Sequence, residues 1–173
     1  GLDYATIAAR NPRIVYCSIS GFGDTGPQKD RPGYDVIVQG EAGLMDLTGP
    51  ADGPPFKVGT SIADLVSGST AVQGILAALY ARDRSGTGQR VDVSLVGSQI
   101  WAQASEYCSF GLSGTQPGRA NYGHPLLHAA YFIVPTADGW LALIGVPMPL
   151  RPAFYEAIGR PDLASDERFA PGW

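Results

Sequence analysis

Apolar residues along the chain fall into two kinds of run, one with the period of a helix and one with that of a strand. The longest periodic segment is Thr60 to Arg84. Ile62, Leu65, Val66, Ala71, Val72, Ile75, Leu76 and Leu79 recur there at spacings of three and four, which predicts an amphipathic helix. Thr60 or Ser61 can cap its start, and Ser85-Gly86-Thr87-Gly88 ends it. Strand patterns flank it. Arg13 to Ser18 is β-branched and aromatic, as in a buried strand, and Gln89 to Ser94 alternates polar with apolar. A short helix is expected over 3–10, with Leu2, Ile7 and Ala8 inward and Asn11-Pro12 as the stop. Residues 35–46 read as a helix broken by glycines. Leu95 to Leu112 reads as one helix whose packing face is Trp101, Tyr107 and Phe110. Further on, Tyr131–Pro135 and Gly139–Ile144 flank Thr136-Ala137-Asp138-Gly139, a hairpin with Asp-Gly at its turn. Pro149–Ile158 and Ser165–Phe169 are expected as short helices. The sum is an α/β protein, with a second, smaller domain beginning near 112–128.

Composition narrows the class. The chain has 173 residues, enough for a sizeable core, and 23 glycines and 14 prolines act as turn punctuation in a loop-rich α/β protein. A net charge of −4 with no basic stripe argues against a nucleic-acid surface while leaving room for a local anion pocket. Apolar stretches such as Ile75 to Tyr80 fall short of a bilayer span, so no membrane partner is expected. Cys17 and Cys108 form no CxxC pair. They read as small buried hydrophobes in a reducing, cytoplasmic setting. The chain opens on Gly1-Leu2-Asp3 without a Met and stops in a turn composition at Trp173. It therefore reads as an internal piece of a longer polypeptide, or as a chain with trimmed ends.

Three features could carry chemistry. Asp64 stands among small and apolar neighbours in the first turn of the long predicted helix. Free backbone N–H groups and the helix dipole favour a carboxylate there, and a desolvated carboxylate suits a nucleophile. On spacing alone, a first-turn acid with a purely electrostatic role fits the position at least as well. The loop Gly21-Phe22-Gly23-Asp24-Thr25-Gly26 follows a strand and could approach a ligand closely. It matches neither GxGxxG nor a P-loop, and a plain tight turn is an equal reading. His124 and His128 lack further ligands at metal spacing, so no metal site is expected. No Gly-x-Ser-x-Gly elbow is present.

Taken in order, several segments resemble one family. They are Asn11-Pro12-Arg13-Ile14-Val15-Tyr16-Cys17-Ser18-Ile19-Ser20-Gly21-Phe22-Gly23, Gly26-Pro27, Arg31-Pro32-Gly33-Tyr34-Asp35, Gln39-Gly40, Gly43-Leu44-Met45, Lys57-Val58-Gly59, Asp64, Arg84-Ser85-Gly86-Thr87-Gly88-Gln89 and Pro135-Thr136-Ala137-Asp138-Gly139. Together they look like the family III CoA-transferases, the formyl-CoA transferase and carnitine CoA-transferase-like group. The resemblance implies a Rossmann-like, parallel-sheet large domain, partly represented by residues 1–115. It implies that 116–173 hold a linker loop and the start of a small α+β domain. It also implies a homodimer of interlocked chains. Asp64 matches the family's catalytic aspartate, which would attack an acyl-CoA thioester, form a mixed anhydride and then an aspartyl-CoA thioester, and pass CoA to an incoming carboxylic acid. Tyr34 matches a position beside the acyl group. Gly21, Phe22, Gly23, Arg31 and His124 are the other candidate CoA- or substrate-binding residues. The resemblance implies no tightly bound cofactor, CoA entering as a thioester substrate.

Two alternatives stay open. An α-methylacyl-CoA racemase shares the fold but uses a His in a Gly-His-Asp segment, where this chain has Gly33-Tyr34-Asp35. Tyrosine, with a reference pKa near 10, is a poor base at neutral pH. A non-catalytic acyl-CoA-binding subunit is the other. The segment Asn121 to Ala130 departs from the glycine run some members carry over the active site.

Overall fold

The structure is a computed structural model that describes residues 1–121, 123–127 and 131–169. It divides into two compact units, Gly1–Gly49 with Pro54–Gln116, and Pro50–Gly53 with the chain from Pro117 onward.

In the first unit, Asp3 accepts the Thr6 N–H at 2.9 Å and so caps α1 (Tyr4–Arg10). Leu2 is 81% exposed instead of facing inward, because the cap leaves it ahead of the first turn. The first strand, β1 (Tyr16–Ser20), starts three residues later than expected and is only half-buried, with Ile19 exposed. Then come α2 (Asp35–Glu41) and α3 (Leu44–Leu47), separated at Gly43, whose φ of 78° suits glycine. The long helix α4 (Ile62–Ser85) leads by Gly86 into β2 (Arg90–Ser94). Expected as one helix, 95–112 is instead two, α5 (Leu95–Ala102) and α6 (Ala104–Ser113).

The sheet is the parallel pair β1–β2, in register from Tyr16–Arg90 to Ser20–Ser94. Both strands therefore finish side by side. Crossing between them, α4 lies so close to β2 that a Cβ on Gly74 would stand 2.6 Å from Val91 Cγ1. Val38 of α2, Ala63 of α4 and Leu95 of α5 form the core cluster, with Val96 packed against it. The α5–α6 break has a polar cause. Buried Gln103 donates from Nε2 to the Ala42 and Gln99 carbonyls, each at 3.0 Å, and the Tyr107 hydroxyl donates to the same Ala42 carbonyl at 3.1 Å. These bonds satisfy an end of α2 that would otherwise be short of donors.

Several sequence expectations are corrected by burial. Trp101, Tyr107 and Phe110 are exposed, Cys17 is half-buried and Cys108 is exposed. Leu65, Val72, Leu76 and Tyr80 make an exposed apolar stripe along α4, opposite Ala63, Ala71 and Ala78. By length and composition α4 is also long and apolar enough to cross a bilayer. The expectation of insufficient length, built on short runs, does not hold for the whole helix.

In the second unit β3 (Tyr131–Pro135) and β4 (Trp140–Ile144) pair antiparallel around the Asp138-Gly139 turn, closed by Thr136 N–H donating to the Gly139 carbonyl at 2.8 Å. A groove of about 290 Å³ lies on this hairpin, lined by Gly123, Tyr131, Phe132, Ile133, Ala142, Leu143 and Ile144. Helix α7 (Arg151–Ala157) buries Tyr155 beside Phe154 and Phe169. Residues 161–169 form two 3-10 turns in place of the expected helix. There the Arg168 side chain, hydrogen-bonded to Asp166, holds that carboxyl at about 2. A depressed folded-state value stabilises above the unfolded value of about 3.9 and is lost as pH falls through the folded one. Arg168→Ala is expected to raise the Asp166 midpoint toward the ordinary range, read by carboxyl-carbon NMR titration. An unmoved midpoint would show that the backbone bond alone sets it.

Candidate functional site

Open parallel sheets place ligands beyond the C-terminal ends of their strands. Here that edge is where Ser20 and Ser94 lie paired. From Ser20 the chain enters the glycine loop, and the Ser20 hydroxyl accepts the Gly23 N–H at 3.0 Å. From Ser94 it enters α5 directly. Ser94 Oγ accepts the Gly97 N–H at 3.1 Å as N-cap, and the Val96 N–H donates to the Gly21 carbonyl at 3.1 Å. The loop is thus tied to the start of α5.

Gly21 and Gly33 cross at van der Waals contact. A Cβ on Gly21 would stand 2.6 Å from Gly33 Cα and N. This crossing holds the segment after β1 against the segment before α2. Arg31 bridges the same region, its guanidinium 5.0 Å above the Phe22 ring and 2.6 Å from Glu41 Oε1. Gly21, Phe22, Gly23 and Arg31 are therefore gathered, and Arg31 already has an acidic partner. Tyr34, 67% exposed, is the N-cap residue of α2 but offers no side-chain cap.

The next residue, Asp35, reaches the other helix. Its Oδ1 accepts the Ala63 N–H at 2.8 Å, and its Oδ2 accepts from Gln39 Nε2 at 2.7 Å. The cap of α4 is therefore supplied by Asp35, whereas Ser61, in the expected position, makes no side-chain cap bond. Tyr34 and Asp64 are each one residue from the Asp35–Ala63 hydrogen bond. Ala63 also packs with Leu95 at the beginning of α5, which sets the Asp64 turn against the end of β2.

Asp64 lies in the first turn of α4 with its side chain exposed, not in a desolvated slot. The helix turns Ala63 and Ser67 inward and carries Asp64 and Leu65 outward. Two donors of the turn are taken: the Ile62 N–H by the Thr60 carbonyl at 2.9 Å, and the Ala63 N–H by Asp35. Among the described residues the Asp64 N–H meets no acceptor. His124 belongs to the second unit, where its Nδ1 accepts the Leu126 N–H at 3.1 Å and its ring meets Tyr131 edge-on at 5.3 Å. His128, Tyr122 and residues 129–130 of the Asn121–Ala130 segment lie outside the described residues. Sequence reasoning passed over Asp35 and Gln39 as working residues. Their signal was an Asp and a Gln at helical i,i+4 spacing within the apolar run Val36-Ile37-Val38.

The fold and site define a mixed α/β protein with parallel strands and a carboxylate at the sheet's C-terminal edge. The sequence profile of CoA-transferase family III matches residues 1–172, and the chain belongs to that family. It is 43% identical over 171 residues to a succinate–glutarate CoA-transferase of Agrobacterium fabrum, covering 98% of this chain and 42% of that protein. It is 40% identical over 171 residues to an acetyl-CoA:oxalate CoA-transferase of Acetobacter aceti, covering 98% and 43%. A crystal structure of a CAIB/BAIF family protein from Brucella suis superposes with a TM-score of 0.82 at 38% identity, over 97% of this chain and 44% of that one. The chain thus spans less than half the length of these relatives.

Proposed function

We propose that the protein containing this chain is a CoA-transferase that moves CoA from an acyl-CoA donor to a free carboxylic acid, with Asp64 as nucleophile. The observation that carries this is the Asp64 carboxylate, exposed and without a partner among the described residues, at the start of α4 beside the sheet's C-terminal edge, in a chain of this family.

The steps balance without an external oxidant or reductant. Asp64 attacks the thioester carbonyl, the C–S bond breaks, and CoA thiolate leaves a mixed anhydride. The thiolate attacks the aspartyl carbonyl and expels the donor acid, giving an aspartyl-CoA thioester. An incoming carboxylate attacks that thioester and releases thiolate again. The thiolate takes the new acyl group from the second anhydride and frees Asp64. A carboxylate nucleophile keeps each intermediate near the energy of a thioester or anhydride. Among the described residues the Asp64 N–H meets no acceptor, so it is a first-turn donor for a developing oxyanion. Gly21, Phe22, Gly23, Arg31 and Tyr34 supply the CoA- or substrate-binding surface of the first unit, and His124 is the candidate binding residue of the second. Small acids are the proposed substrates, since the two relatives are named for succinate with glutarate and for acetyl-CoA with oxalate.

The same reading takes residues 1–115 as part of a Rossmann-like large domain and 116–173 as the start of a small one. It takes the assembly as an interlocked homodimer and its location as cytoplasmic, the free thiols Cys17 and Cys108 suiting a reducing compartment. No tightly bound cofactor is invoked. Incubation of the intact enzyme with an acyl-CoA in deuterated water separates transferase from racemase. No α-deuteration and no turnover are expected until a carboxylic acid is added. Acceptor-independent exchange of the α-proton would instead establish racemase chemistry.

A further inference from the structure

We propose that Gln39 is a positioning residue for Asp64, an inference that rests on the nucleophile reading above. Gln39 is 0% exposed, and both ends of its amide are used. Nε2 donates to Asp35 Oδ2 at 2.7 Å, with the Thr60 carbonyl 3.5 Å away, and Oε1 accepts the Val58 N–H at 2.8 Å. Asp35 in turn holds the Ala63 N–H through its other oxygen.

One buried amide therefore joins α2 to the segment leading into α4 at two points, Val58 before the helix and Ala63 within its first turn. Asp64 is the residue after Ala63. The first turn of α4 has no side-chain cap of its own, so its place is set by this relay. Gln39 meets no substrate by this geometry and acts through Asp35 and the backbone. The order of groups is fixed: amide N–H to carboxylate, carboxylate to N–H, N–H to amide oxygen. A glutamate at 39 would set two carboxylates 2.7 Å apart. A leucine would leave the Val58 N–H unmet and free Asp35 to swing. A misplacement of about 1 Å at a nucleophile costs on the order of 10²-fold in rate.

The test uses the intact enzyme. Gln39→Glu and Gln39→Leu are expected to lower kcat about 10- to 100-fold with KM for the acyl-CoA donor within about threefold. Exchanging the two groups, Asp35→Asn with Gln39→Glu, rebuilds the pattern. The amide now at position 35 still accepts from the Ala63 N–H and donates to the carboxylate now at position 39, whose second oxygen accepts from Val58. The double variant is expected to return kcat to within about fivefold of the parent, at least tenfold above Gln39→Glu alone. Side chains that merely filled the core would not produce this rescue. If Gln39→Leu fails to fold, the exchange pair carries the test alone. Single Gln39 variants with kcat within twofold of the parent, or an exchange no better than Gln39→Glu, would overturn the inference. Hydroxylamine trapping in the parent keeps the two readings apart. A tag on Asp64 with unaffected Gln39 variants overturns the relay alone, while no tag on Asp64 during turnover removes the nucleophile and the relay with it.

Discussion

Asp64→Asn is expected to reduce thioester exchange by on the order of 10³-fold or more while leaving the fold unchanged. The amide has nearly the same shape but cannot form the anhydride, and removing a covalent nucleophile removes the whole route. Stability should fall by no more than about 1 kcal/mol, the helix-dipole contribution of a first-turn carboxylate, since the side chain is exposed and has no hydrogen-bond partner among the described residues. Rate assays, urea unfolding and peptide mapping after hydroxylamine treatment check the three parts. The tag should sit on Asp64 in the parent and vanish in the variant. A variant exchanging thioesters within tenfold of the parent would sink the proposed chemistry, whatever the family.

Gly21→Ala should have the largest effect on stability among single-atom additions to the loop. The new Cβ would stand 2.6 Å from two backbone atoms of Gly33, and neither can rotate away as a side-chain tip could. The crossing must open, at a cost of about 3 kcal/mol, the upper end for overpacking. Opening also separates the β1 loop from the Tyr34–Asp35 segment that caps α4, so activity should fall with stability. Gly33→Ala should behave alike, its Cβ meeting Gly21 Cα from the other side. Chemical unfolding curves give the loss. A shift under about 0.5 kcal/mol would mean that the loop yields freely and holds nothing in register.

The long helix, the alternating second strand and the Asp-Gly hairpin were legible because each is written in local periodicity or turn chemistry. What escaped was non-local. Ser61 has the composition of a cap, yet the cap comes from Asp35, 28 positions before Ala63, a bond no window of sequence contains. Gln39 sat in an apolar helix as an apparent interruption, and only its burial against three polar partners gives it a purpose. The α5–α6 break has no Gly or Pro to announce it, since Gln103 makes it through side-chain bonds to carbonyls. Asp64 itself was found, but its setting was misjudged. Small and apolar neighbours in sequence suggested enclosure, whereas helical geometry turns Ala63 and Ser67 inward and the acid outward.

The pairing of Tyr16 with Arg90 has a consequence for synthesis. A ribosome adding about 5–20 residues per second completes β1 several seconds before its partner strand exists. Throughout that wait the groups of β1 that bond β2 lack that partner, and the chain between the two strands, residues 21–89, contributes helices and loops. The Gly21 carbonyl likewise meets the Val96 N–H only after β2 and the start of α5 have emerged, which makes the order of emergence part of how this edge of the sheet is assembled.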